Sequence, residues 1–451
     1  MTLTRSVAPA DRGWRNWAGD EGCTPQRIAQ PGTVADVASA VSTAAGRGQT
    51  VRVVGAGHSF GDLVCTDGLL LNLDRLSGLH RVDPDAGLVT VAAGTRLADL
   101  TRMLAEHGLA LPNLGDIDRQ SVAGAMSTAT HGTGRELGNL AVQIAGLEMV
   151  LADGSVLTLT EADDPDTLRA ARVSLGALGV ITAYTLRVVP AFALHAHQQP
   201  MPLGQVLAHL DDLVDGNDHF EFFHFPHTDT ALVKLNNRTR EPLRPRGRVA
   251  ATVDKFAENR LLDVACRAGR RFPTRIPGIN RAISRLVSAS DTVDHSHRVF
   301  ASPRKIRFTE MEWAIPRDAC AAMVRDIHRV IERDGIDVNF PIEVRFVAGD
   351  TESYLSPAYD RDTAYIAVHM YRGMAWEPYF RAVQAVALAH DGRPHWGKRH
   401  FLDAEQLAAR YPAWDRFQAV RSRLDPAGTF TNDHIRRTLG DIPGQGGHPT
   451  C

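Results

Sequence analysis

The order of segments in this chain predicts an α+β fold of two domains. Strand-like and helix-like stretches alternate in mixed order over residues 1–190, and the pattern breaks at Pro190. Beyond Pro190 the chain reads as paired strands and amphipathic helices, a second domain built on an antiparallel sheet. A length of 451 residues allows about three domains at roughly 150 each, or two large ones. The break at Pro190 favours two.

Each element has a local reason. Thr33 to Ala45 carries small apolar residues at helical spacing, with Gly46 as a stop signal. TVRVVGAG is a β-rich run ending in glycines, and LLLNLDRL and LVTVAAG read as further strands. RLADLTRMLAEHG is an amphipathic helix closed by Gly108. GLEMVLADGSVLTLT is a hairpin whose Asp153-Gly154 supplies the positive-φ turn, and GVITAYTLRVVP ends the unit. In the second domain HFEFFHFPHTDTALVKL gives two strands, and residues 236–307 read as irregular. DACAAMVRDIHRVIERDG and PYFRAVQAVALAHDG are helices; IEVRFVAGD and AYIAVHMYRG are strands. The divisions are therefore 1–190, 191–405, a segment 406–440 returning to the first domain, and a flexible tail 441–451.

Composition excludes several classes. Fifty Lys and Arg against 52 Asp and Glu leave a formal charge of −2, and 44% of residues are hydrophobic. A disordered chain would need the opposite balance. The lack of a basic excess removes nucleic acid as a general partner, and no run of eighteen apolar residues is present to span a bilayer. Cys23, Cys65, Cys266, Cys320 and Cys451 form no CxxC pair, and the N-terminus lacks the apolar core of a signal peptide. We read a reducing, cytoplasmic setting. The near-neutral total hides a local excess: residues 234–307 hold eighteen Lys and Arg against six Asp and Glu. This is either a solvated, loop-rich surface or a docking face for an acidic membrane surface or a protein electron acceptor.

Two segments point to a cofactor. Gly55-Ala56-Gly57-His58-Ser59-Phe60-Gly61 follows a strand, where glycines let backbone N–H groups approach a pyrophosphate. The third glycine falls one place late for the Rossmann fingerprint, and no helix start follows. The second segment, Ser121 to Gly134, is small and hydroxyl-rich, suited to a long cofactor lying against backbone. Together they favour a dinucleotide site of non-Rossmann type.

With these motifs the chain resembles the vanillyl-alcohol oxidase flavoprotein superfamily, whose FAD-binding domain (PCMH type) carries GAGHS, SVAG…THGTG and ARVSLGALGVIT. IEVRF, RPHWGKRH and LDPAGTF-x-N are similar to its aldonolactone oxidoreductase branch, and NDHFEFF and FTEMEWAIPR to actinobacterial gulonolactone dehydrogenases. The resemblance runs from about Trp14 to Leu439. It implies FAD bound covalently through His58, with Val54, Gly55, Ala56, Gly57, Ser59, Ser121, Gly124, Thr128, His131, Gly132, Gly134, Val180 and Ile181 lining it. It also implies oxidation of a sugar 1,4-lactone by hydride transfer to the flavin, with an alditol oxidase as the alternative. A flavin-free binding protein that retains the fold is the alternative of another class. Gly115 falls where a side chain influences oxygen access to the flavin, and glycine there looks open. The likeness to dehydrogenases points the other way, so the acceptor stays undecided between oxygen and a protein.

Glu343 and Arg345 lie two apart on a strand and project from one face. On sequence alone that is equally a cross-strand ion pair. His369 shares a face with Ala367 and Tyr371, and Lys398 sits in the RPHWGKRH loop. Each matches a polar active-site position of the family. The resemblance assigns Arg345 and Lys398 to charge stabilisation, Arg345 polarising the reacting hydroxyl. Glu343 becomes a substrate ligand or base, and His369 a ligand or the alternative base. The pairs His195/His197 and His224/His227, and the group Asp294/His295/His297, lack the spacing of a zinc motif, so no metal is expected.

Overall fold

The computed structural model describes residues 13–245, 260, 262–301 and 306–442. In the first domain a three-stranded parallel sheet runs Arg27–Ala29, Leu69–Asn72, Val51–Val54. Beside it lies an antiparallel sheet in the order Val156–Thr160, Ile144–Val150, Val180–Arg187, Leu88–Ala92, Leu79–Asp83. The helix Val34–Ala45 is capped by Thr33, which accepts from Asp36 N while Asp36 answers with its carboxylate, a capping box. Gly154 takes φ +86 in the turn between Ile144–Val150 and Val156–Thr160, the conformation that Asp-Gly supplies.

The second domain is built on an eight-stranded antiparallel sheet. Its order is Ser290–His295, Ala193–Pro202, Thr230–Thr239, His219–His224, Ile342–Val347, Thr363–Tyr371, Phe308–Pro316, Arg393–Pro394. The helices Cys320–Arg333 and Glu377–Ala389 pack together against it. The expectation that 236–307 is irregular is corrected where the segment is described. Ile276–Ser284 is a helix, and Ser290–His295 is a strand that buries only Val293. An edge strand with one buried residue has no alternation to betray it. Residues 246–259, 261 and 302–305 of that segment, and the tail from 443 with Cys451, lie outside the described residues. Cys23, Cys65, Cys266 and Cys320 are free thiols.

One apolar core is continuous from Val37 through Phe220 and Val344 to Leu439. The C-terminal helices Trp414–Leu424 and Asp433–Leu439 flank a loop that returns to the parallel sheet: Val51 N donates to Thr429 O at 2.8 Å, and Asn432 Nδ2 to Cys65 O at 2.7 Å. Among the described residues no helix is long and apolar enough to cross a membrane.

Candidate active site

The glycine turn after Val51–Val54 opens a cleft of about 840 Å³ counted to its open mouth. Val54, Gly55, Ala56, Gly57, His58 and Ser59 line it, and so do Ser121, Gly124 and Thr128. A Cβ on Gly55 would come within 2.1 Å of Ser121 Oγ, and Gly57 has φ +68, so both positions require glycine. Ser121 also caps the short helix Val122–Ser127, accepting from Gly124 N at 3.2 Å. Small residues and backbone thus form a cradle that fits a dinucleotide. His58 lies with its ring 5.4 Å from that of Trp17. Burial first, then Lys398 and Arg96, push its pKa down to about 4, so the imidazole is neutral near pH 7.

The structure does not bring the other cofactor candidates to this lining. His131 turns away to Glu312, and Gly134 N donates to Phe346 O of the second domain at 2.7 Å. A Cβ on Gly132 would meet Asn113 Oδ1 at 2.3 Å, which explains that glycine by packing. Val180 and Ile181 belong to a central strand, paired with Val150 and Met149. Gly115 adjoins the carbonyl of His131. The Ser121–Gly134 segment therefore serves the cleft with its first half and the domain junction with its second.

Register assembles the polar centre. Lys234 pairs with Glu221, Glu221 with Arg345, and Arg345 with Tyr365. Glu343 and Glu312 both pair with Ala367, and Glu310 with His369. Directly paired residues project to the same side, so one sheet face carries all these groups. Arg345 Nε donates to Glu221 Oε2 at 2.8 Å, its Nη2 pairs with Glu343, and Asp116 Oδ1 lies 3.4 Å away. Burial opposes its charge, but Glu343, Asp116 and Glu221 outweigh burial and hold the guanidinium well above its ordinary pKa. Lys398 lies 2.5 Å from Glu310 Oε2 and 5.1 Å over the Phe60 ring, and Phe60 N donates to Gly397 O at 2.9 Å. The HWGK loop is thereby fastened to the glycine turn. Burial disfavours the Lys398 cation, yet Glu310, Glu312 and Asp116 raise its pKa. Glu310 is disfavoured by burial too, but Lys398 and His369 hold it down to about 2.

His369 Nδ1 faces Pro341 O at 3.0 Å, leaving Nε2 toward Glu310 at 3.5 Å. His131, Glu312 and His395 bring their ligand atoms within 4.8 Å of one another. His395 Nδ1 accepts from Gly397 N at 3.0 Å, so its Nε2 carries the proton and has no lone pair for a metal. His131 Nδ1 and Nε2 face Gly132 O at 2.9 Å and Glu312 at 3.2 Å. The trio is a hydrogen-bonded cluster. All four sequence-predicted centre residues meet here; Asp116, Glu221, Glu310, Glu312 and His395 were not expected.

Residues 184–438 match the model of the D-arabinono-1,4-lactone oxidase family, and residues 25–160 that of an FAD binding domain. The chain belongs to the D-arabinono-1,4-lactone oxidase family. It is 49% identical over 427 residues, 95% of this chain and 99% of the relative, to an L-gulono-1,4-lactone dehydrogenase of Mycobacterium tuberculosis. It is 33% identical to the L-gulonolactone oxidase of Bos taurus, covering 94% of this chain and 98% of that one. The fold is that of a cholesterol oxidase from B. sterolicum, with a TM-score of 0.79 over 95% of this chain and 96% of that one, at 20% identity. The chain is thus a two-domain flavoprotein of the PCMH-type fold, an FAD-dependent oxidoreductase acting on CH–OH groups.

Proposed function

We propose that the substrate is a sugar 1,4-lactone of the L-gulono or D-arabinono type, oxidised at a hydroxyl-bearing carbon over Arg345, Glu343, His369 and Lys398. The observation that carries this is the meeting of a buried cation, Arg345, with a partly buried one, Lys398, beside the turn that holds His58. When bound, FAD supplies the two-electron acceptor for the carbon's hydride. Losing that hydride, the substrate must also lose its hydroxyl proton. Arg345 stabilises the developing alkoxide, with Lys398 as the second cation. Glu343, paired with Arg345, binds the hydroxyl and is placed to take the proton; His369 is the alternative base. Comparing the acid limbs of kcat in Glu343→Gln and His369→Asn separates the two. Anaerobic bleaching of the flavin bands tests the substrate: lactones should bleach them at micromolar to millimolar concentration, and alditols that bleach them faster would replace lactones in this reading.

His58 is our assignment for the covalent attachment of FAD, since a neutral, half-buried imidazole in the cleft is a competent nucleophile. Acid-precipitated protein should keep its yellow colour and His58→Ala should release it; colour in the supernatant of the unaltered protein sinks the assignment.

The electrons then pass to oxygen or a protein acceptor. Exposed Arg267, Arg270, Arg271 and Arg275 lie close in sequence to Val264 and Phe272, which are 63% and 56% exposed. That mixture supports a peripheral contact with an anionic lipid surface or an acidic acceptor. Turnover with a protein acceptor, or binding to anionic vesicles, should weaken as salt rises.

A further inference from the structure

A second recess, about 750 Å³ counted to its open mouth, shares Lys398 with the reaction centre and no residue with the FAD cleft. His400 is 6% exposed and lines it, yet neither ring nitrogen has a hydrogen-bond partner among the described residues. Burial first, then Arg437 and His434, keep this imidazole neutral, so it offers one N–H donor and one acceptor lone pair. His434 Nδ1 lies 2.7 Å from Asp62 Oδ1, and its buried Nε2 is likewise unpartnered. The wall carries Lys398, Arg381 and Arg399, each paired with a carboxylate, together with Arg437, Glu21 and Asp62. Arg437 donates to Leu402 O at 2.9 Å, lies 3.3 Å from His434 Nδ1, and makes no direct ion pair among the described residues.

The unpartnered ring nitrogens of buried His400 and His434, beside the exposed guanidinium of Arg437, narrow the ligand. A carboxylate satisfies the guanidinium and the His400 N–H but offers no proton to a lone pair. A neutral polyol supplies hydroxyl protons but no charge. We propose that this recess binds a small hydroxy-carboxylate, an anion with hydroxyls on neighbouring carbons. Ring opening of a sugar lactone by water produces that class, so the choice of probe rests on the lactone reading, whereas the chemical class rests on the recess. Lys398 belongs to both sites, and an acid held in the recess reaches the reaction centre through it.

Calorimetric titration of the FAD-loaded enzyme with sodium L-gulonate, sodium acetate and galactitol tests this. Gulonate should bind at least tenfold more tightly than the other two. Arg437→Gln and His400→Leu should each weaken it about tenfold or more, while His400→Asn, which keeps a donor and an acceptor, stays within about threefold. Equal affinities for the three probes overturn the proposal. So does gulonate binding that is lost in Arg345→Ala and kept in Arg437→Gln, since the acid then sits at the reaction centre. If a variant fails to fold, the ranking of probes on the unaltered enzyme decides. Flavin bleaching by lactone in the same sample reports separately on the lactone reading: bleaching without gulonate binding overturns only the recess, and gulonate binding without bleaching overturns only the lactone.

Discussion

Taking Arg345 out of water costs several kcal/mol, and Glu221, Glu343 and Asp116 surround it with more negative charge than one guanidinium cancels. The surplus is what makes the cation dependable, because it cannot lose its proton there. Arg345→Ala removes the stabilising charge and should lower kcat by roughly 10²–10³ while FAD stays bound, since Arg345 does not line the cleft. Unchanged turnover in a flavin-loaded variant would refute the role. Glu310→Gln tests the neighbouring pair. The Glu310 anion 2.5 Å from Lys398 raises the lysine's pKa. With glutamine there, Lys398 gives up its proton at lower pH, and the alkaline limb of kcat should move down. Glu343, Arg345, His369 and Lys398 were legible because motif and alternation single them out. Glu310 and Glu312 were not: with Met311 and Trp313 between and after them, they read equally as the wet face of an amphipathic strand. Only the register that sets Glu310 against His369 reveals them, and register is a long-range property.

Elements hold the cleft through a side chain that sequence reasoning passed over. Arg52, in the middle of Val51–Val54 and 2% exposed, donates to Leu63 O at 3.1 Å, Gly176 O at 3.1 Å, Leu175 O at 2.7 Å and Phe430 O at 2.6 Å. One guanidinium thus ties the strand, the loop after the glycine turn, a turn before the central strand, and the C-terminal segment. Arg52→Leu leaves four carbonyls with that partner gone and should destabilise by about 3 kcal/mol or more, read as a lower midpoint in urea. Gly55→Ala strikes the same place from the ligand side: with its Cβ 2.1 Å from Ser121 Oγ, the turn must shift, and flavin content should drop several-fold. Strands of the first domain were legible from their apolar runs. Ala193–Pro202 escaped notice, since its ten residues bury only Leu194 and include two prolines; its place in the sheet comes from pairing with Thr230–Thr239 over its full length. An arginine inside a β run looks like a polar interruption until the four carbonyls around it are known.

Across the whole molecule, folding buries histidines as neutral rings, and this sets its response to acid. Burial pushes His395 and His224 down to about 3, and His400 well below its ordinary value, with Lys398 and His131, His328, and Arg437 respectively adding to the effect. Each unfolded histidine binds a proton below about 6.5, whereas the folded ring refuses it until the pH nears its own depressed pKa. Between about pH 6.5 and 4 the unfolded chain therefore holds more protons, and stability must fall as pH falls. Asp350 and Asp425 work the other way: burial raises both to about 6, so they take up protons in the folded state and gain as pH drops through that value. Burial also lowers His219, His227, His297, His328 and His434 and raises Glu21, so the histidines outnumber the raised acids, and the histidine window extends further down. The melting temperature of the FAD-loaded protein should decline steadily from pH 6.5 to 4, and His224→Phe, on the sheet face opposite Glu221 and Glu343, should flatten the decline by removing one of these contributions. A melting temperature that is constant or rises across that interval would show that these imidazoles are protonated in the fold, and the neutral His400 on which the second recess depends would fall with them.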